Sequence, residues 1–178
     1  GTVNDVKTWT QRAHDVGATV LVDGAQAVPH LAVDVRDLDV DFYTFSGHKT
    51  YGPTGIGILY GKEALLDAMP PWRGGGEMID TVSFENGTTF NELPYKFEAG
   101  TPHISGGIAL GASLDWLNDV GLAALTGHEH VLTMHAHDVL ADIDGLTFYG
   151  TAPCKAGVVS FLVDGVHPYD LGTLLDQL

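Results

Sequence analysis

Ala18-Thr19-Val20-Leu21-Val22-Asp23-Gly24 is the stretch that decides the fold. Its first five residues are apolar or β-branched and show no polar alternation, whereas a strand with one wet face alternates; the run therefore reads as a buried parallel strand ending at Asp23-Gly24. Upstream, residues 3–15 place Val6, Trp9 and Ala13 at helical spacing, and Gly17 is a suitable C-terminal stop. Downstream the pattern repeats, because Val40-Asp41-Phe42-Tyr43-Thr44-Phe45 runs into the polar turn Ser46-Gly47-His48-Lys49. Residues 55–61, glycine at both ends, form a third strand candidate. Helix followed by buried strand, with polar residues gathered at strand C-terminal ends, predicts an open α/β sheet whose ligands bind at that edge.

Residues 70–94 hold Pro70-Pro71, Gly74-Gly75-Gly76 and Asn86-Gly87 with little periodicity, and read as a long loop, a lid or an interface. A helix is expected from Ile104 to Asn118, with Ile108, Leu110, Leu114 and Leu117 apolar, and another over residues 122–142. Residues 157–163 read as a strand, and His167-Pro168 opens a last helix. The expected division is residues 1–114 as part of a large α/β domain and 115–178 as the beginning of a smaller one. The chain starts without Met and ends inside an amphipathic run, which reads as a fragment.

Composition narrows the partners. Among 178 residues, 23 acidic and 8 basic side chains give a formal net charge of −15, so no cluster of Lys and Arg is available for nucleic acid. No run of about 18 apolar residues occurs and no signal-like segment opens the chain, so neither a membrane nor secretion is expected, and the cytoplasm is the default location. Cys154 is the single cysteine, which excludes an intrachain disulfide and a CxxC site.

Chemistry concentrates at two strand ends. Asp23-Gly24-Ala25-Gln26 follows one strand, Ser46-Gly47-His48-Lys49 the next, and Gly52-Pro53-Thr54-Gly55 comes shortly after. An acid, an amide, a hydroxyl, an imidazole and an amine thus reach one edge. Taken singly, Asp23 is a turn cap and Lys49 a surface amine. Taken together they match the needs of pyridoxal 5'-phosphate (PLP): an amine to form an imine, a carboxylate to keep the pyridine nitrogen protonated, and small polar groups for the phosphate.

Four strings carry a resemblance: VLVDGAQAVPH (20–30), DFYTFSGHKTYGPTGIGILYGK (41–62), PPWRGGGEMI (70–79) and FEAGTPHI (97–104). In order and spacing they resemble the class V aminotransferase superfamily, and within it cysteine desulfurases of the SufS type, with selenocysteine lyases as close relatives. The resemblance implies PLP-dependent transferase fold type I, the aspartate-aminotransferase-like architecture: part of the large, mostly parallel-sheet domain plus the start of the small C-terminal α+β domain. It implies Lys49 as the Schiff-base lysine, Asp23 as the partner of the pyridinium nitrogen, Gln26 as the group on the phenolic oxygen and Ala25 as the small residue against the ring. Ser46 and His48 match phosphate ligands. Thr101 matches a threonine that reaches the phosphate of a neighbouring subunit, hence a homodimer with shared sites.

The activity so implied is conversion of L-cysteine to L-alanine, with persulfide sulfur passed to an acceptor protein of the SufE or SufU type for iron–sulfur cluster assembly. Selenocysteine lyase, or another class V activity, is the alternative chemistry. A catalytically inactive dimerising piece is the alternative of a different class. The family's nucleophilic cysteine and carboxylate-gripping arginine are expected beyond Leu178, and its ring-stacking histidine before Gly1. Cys154, in Pro153-Cys154-Lys155, is outside the family's His-Cys motif and reads as an incidental loop thiol.

Other motifs fail on inspection. His128-Glu129-His130 suggests HExxH, but Leu132 occupies the second histidine's position, so no metal site is expected there. His128, His130, His135 and His137 read instead as a solvated or dimer-facing helix surface. GPTGIG (52–57) lacks the GK[ST] of a phosphate loop, and Thr44 stands where a GxSxG around Ser46 needs glycine. His30 reads as a turn histidine.

Overall fold

The computed structural model describes all 178 residues. The chain divides into two compact units: Val6–Pro29 with Val33–Asp119, and Gly1–Asp5 with His30–Ala32 and Val120–Leu178. In the first, helix α1 (Val6–His14) precedes strand β1 (Leu21–Asp23), which pairs in parallel with β2 (Phe42–Ser46), Leu21 opposite Phe42 and Asp23 opposite Thr44. Strand β3 (Gly57–Gly61) closes the order β1-β2-β3.

The sheet differs from expectation in two ways. β3 runs antiparallel to β2, with Phe42 opposite Gly61 and Ser46 opposite Gly57. The connection, residues 47–56, falls short of the crossover of about a dozen residues or more that a parallel partner requires. β1 is also shorter than the apolar run that announced it and is an edge strand, with Leu21 exposed rather than buried. Val20 stays outside the ladder because Asp41 takes its main-chain N–H at 2.7 Å, while its carbonyl accepts from the N–H groups of Asp41 and Phe42.

Residues 70–94 are not all loop. β4 (Ile79–Ser83) and β5 (Gly87–Phe90) form an antiparallel hairpin in which Ser83 faces Gly87. A three-residue connection then leaves Gly87 at φ 78°, the left-handed conformation such hairpins place on glycine. Ile79, Thr81, Val82, Thr88, Thr89 and Phe90 supply β-branched and aromatic content that the flanking glycines and prolines obscured. Short helix α2 (Glu63–Ala68) precedes the hairpin, and α3 (Ile104–Val120) follows it. The core of this unit is built from Val40, Tyr43, Met78, Leu110 and Leu117, with Thr10 and Thr50 also fully enclosed.

The other unit holds α4 (Leu122–Ala141), the antiparallel pair β6 (Leu146–Tyr149) and β7 (Ser160–Val163), and α5 (Pro168–Asp176). Leu146-Thr147-Phe148-Tyr149 is a strand that sequence periodicity left unread. His167 caps α5, its side chain accepting the N–H of Tyr169 at 3.2 Å, with Pro168 in the first turn where no amide is needed. No single helix is long and apolar enough to cross a membrane.

Candidate active site

Parallel pairing of β1 with β2 brings two strand C-termini side by side, and the polar residues of each follow directly. Asp23 ends β1, and its Oδ1 accepts the N–H of Ala25 at 2.9 Å, folding the chain into a tight turn. The Gly24 N–H donates to the Thr44 carbonyl at 2.8 Å, so this turn is pinned to β2, and Gln26 stands on it with an exposed side chain and no protein partner.

Ser46 ends β2 and hands over to a single 3-10 turn, Gly47–Lys49. Ser46 Oγ and His48 Nδ1 lie 2.8 Å apart, a hydroxyl and an imidazole held as one group. The Gly47 carbonyl accepts the N–H groups of Thr50 and Gly52, both at 2.9 Å, and the Gly47 N–H donates to the Ile56 carbonyl. Thr50 is fully enclosed and donates its hydroxyl to the Ser46 carbonyl at 3.2 Å. The base of the turn is therefore rigid while its tip, carrying Lys49, is exposed. Lys49 makes no hydrogen bond and no ion pair, not even with Asp23.

Asp23, Gln26, Ser46, His48 and Lys49 are thus gathered on one edge. Thr101 stands on a different segment. It precedes α3, just after Gly100 at φ 83°, is exposed, and has no partner in the chain. The first turns of α3 pack against the loop that follows Lys49: His103 lies 3.6 Å from a Cβ built on Gly55, and Ile56 is 4.0 Å from one on Gly107.

Two features of this sheet escaped sequence reading. Tyr43 is 4% exposed, and its phenol is held above its ordinary pKa by burial and then by the charge of Asp23. At the other end of the strands Asp41, 6% exposed, accepts from Val20 N–H, His14 Nε2 (2.9 Å) and Lys62 Nζ (3.0 Å). Burial works against its charge, but these partners outweigh burial and lower its pKa to about 2. Such partners lie far apart in sequence, so no local motif announces them.

In the unit containing α4, His30 Nδ1 lies 2.7 Å from Glu129 Oε1, and Lys155 Nζ lies 3.3 Å from His137 Nε2. Those groups edge a cavity of about 650 Å³, also lined by Leu31 and Met134. None of the six predicted site residues lines it. Cys154 is exposed in the same unit.

An unpaired amine on the turn after β2, a carboxylate at the end of the adjacent parallel strand and a hydroxyl–imidazole pair between them in sequence suit nucleophilic attack on a carbonyl carbon and retention of an anionic group. Residues 1–178 match the aminotransferase class-V family. The chain belongs to the class V aminotransferase family. A class V relative, the probable cysteine desulfurase of Vibrio cholerae, is 53% identical over 177 residues, which is 99% of this chain and 43% of that protein. The crystal structure of the cysteine desulfurase CsdA from Escherichia coli superposes with a TM-score of 0.92 at 45% identity, covering 99% of this chain and 44% of that one. A C-DES mutant with glycine covalently linked to its PLP cofactor superposes at 0.76 with 28% identity, over 90% of this chain and 43% of that one. The chain therefore spans less than half the length of the class V relatives it matches.

Proposed function

We propose that the protein carrying this sequence is a PLP-dependent cysteine desulfurase of the SufS type, which converts L-cysteine to L-alanine and passes persulfide sulfur to an acceptor protein of the SufE or SufU kind in the cytoplasm. The observation that carries the reading is the unpaired Lys49 amine, raised on a cross-tied turn that follows β2 at the C-terminal edge of a strand pair whose other member ends at Asp23. Identity of about half to named cysteine desulfurases supports the choice of reaction.

The residues present suit the cofactor. Lys49 spends its amine on no protein acceptor, Gln26 spends its amide on none, and one oxygen of Asp23 is left free of the turn that fixes the other. Bound here, PLP supplies the electron sink that stabilises negative charge at a substrate carbon. Asp23 would hold the ring nitrogen protonated, Gln26 would donate to the phenolic oxygen, and Ser46 with His48 would hold the phosphate. Lys49 Nζ would be the amine that holds the cofactor through its carbonyl carbon and, once released, the group placed to hold or give up a proton beside the substrate. Thr101, exposed ahead of α3, would serve the phosphate of a second subunit in a homodimer.

The test uses the protein at the full length of its relatives. Alanine and sulfide released from L-cysteine, exceeding selenide from selenocysteine and abolished in Lys49→Ala, are the expected results. Absence of sulfide above background overturns the reading.

A further inference from the structure

Tyr43 packs where nothing but glycine fits. It lies opposite Val22 in the parallel pair, so its side chain shares a sheet face with Val22 and Gly24, while Asp23 and Thr44 share the other. A Cβ placed on Gly24 would fall 2.0 Å from Tyr43 Oη and 2.1 Å from Cε1 and Cζ, so the phenol end of the ring covers the Gly24 main chain directly. Gly24 is the pivot of the site. Its N–H is tied to Thr44, its carbonyl accepts from Ala27 (2.8 Å) and Val28 (3.1 Å), Asp23 precedes it and Gln26 follows two residues on. The phenol makes no hydrogen bond within the protein, so polar pairing does not explain its place under the pivot.

We propose that Tyr43 is a positioning residue for Asp23 and Gln26: its ring, wedged under Gly24, sets the height at which the strand end and the turn deliver the carboxylate and the amide. The inference rests on the reading of Asp23 as the partner of the cofactor's ring nitrogen. Tyr43 touches neither substrate nor cofactor in this account. Burial and the Asp23 charge both favour the neutral phenol, so the wedge stays uncharged.

The experiment measures PLP affinity and the pH midpoint of the visible absorption of bound PLP in the full-length protein, with Asp23→Asn as the reference for a lost carboxylate. Tyr43→Leu is expected to weaken PLP binding by about tenfold, as loss of a supporting group behind a ligand does, and to move the midpoint in the direction that Asp23→Asn moves it. Tyr43→Phe keeps the ring and is expected to stay near wild type. Tyr43→Met retains buried apolar volume without the rigid ring, and is expected to follow Tyr43→Leu should the latter fail to fold. A lowered unfolding temperature with affinity and midpoint unchanged, in whichever of the two folds, makes Tyr43 a core residue only and overturns the proposal. Asp23→Asn leaving the midpoint unmoved removes the reading of Asp23 and this inference with it; Asp23→Asn moving it while the Tyr43 variants do not removes this inference alone.

Discussion

Asp41 Oδ2 accepts the main-chain N–H of Val20 at 2.7 Å, and so does the work that one more ladder hydrogen bond between β1 and β2 would have done. The same carboxylate takes His14 from α1 and Lys62 from the end of β3, so one buried charge ties a helix and all three strands at the edge opposite the candidate active site. Its folded pKa, about 2, lies below the ordinary carboxylate value of 3.8. The linked stability is therefore complete above the unfolded value and is lost as pH falls towards 2. Allowing for solvent screening, Asp41→Asn should cost about 1–2 kcal/mol at neutral pH. Urea unfolding of both proteins across pH 2 to 7 checks it; a gap that does not narrow in acid would show that the carboxylate's charge is not what stabilises.

The hairpin yields a second expectation. Met78, fully enclosed, sits at the base of β4 and its carbonyl accepts the N–H of Asn91, closing the hairpin below β5. Met78→Ala should cost about 2–5 kcal/mol through lost burial and the cavity left behind. Gly87→Ala should cost only about 1 kcal/mol, because it strains one residue held at φ 78° where a Cβ otherwise meets open space. Amide exchange should separate them: the Gly87 variant loosens residues 79–90, whereas the Met78 variant loosens the unit as a whole. Equal and global loosening in both would refute that division.

Where sequence and structure agree, the reason is local. Asp23 and Ser46 were legible as strand ends because apolar, β-branched runs stop at them, and the helices α3 and α4 because apolar spacing persists between Gly100, Gly121 and Gly145. The hairpin was hidden by its setting, since Asn86-Gly87 reads equally as loop punctuation and as a tight turn. Leu146-Thr147-Phe148-Tyr149 is too short to separate a strand from a helix end by period alone. The direction of β3 depends on the length of the connection from β2, not on any residue in it. Asp41 illustrates the largest gap, because its partners His14, Val20 and Lys62 lie 21 to 27 positions away and only the folded sheet assembles them. The exposed tip of Lys49 is of the same kind, since no periodicity encodes how far a turn projects.

Ser46 and His48 offer a sharper probe of the anion end of the site. The 2.8 Å contact leaves the Nε2 side of His48 directed by Ser46, so the hydroxyl both binds and orients. Ser46→Ala should therefore weaken PLP by about tenfold while leaving pyridoxal, which lacks the phosphate, nearly unaffected. Fluorescence titration with the two compounds checks this. Equal losses for both would place the Ser46 hydroxyl away from the phosphate.

Gly47 is the residue on which the presentation of Lys49 turns, and the requirement is for space. A Cβ there would come within 2.9 Å of Ile56 Cγ2 and 3.1 Å of the carbonyl oxygens of Ile56 and Pro53. The two carbonyls are main chain and belong to the loop that returns towards β3, so the turn rather than a flexible side chain has to give way. Gly47→Ala should then break the Gly47 N–H bond to Ile56 and swing the tip that carries Lys49, reducing PLP occupancy by about tenfold or more, since a displacement of about 1 Å in a reacting group is costly. The effect on folding should be small beside it, because Thr50 and its bond to the Ser46 carbonyl remain to anchor the turn's base. Borohydride reduction followed by mass analysis of the Lys49 peptide reads the attachment directly. Full labelling of Lys49 in the Gly47→Ala protein at low PLP would show that the turn tolerates the extra carbon and that its cross-ties do not govern where the amine stands.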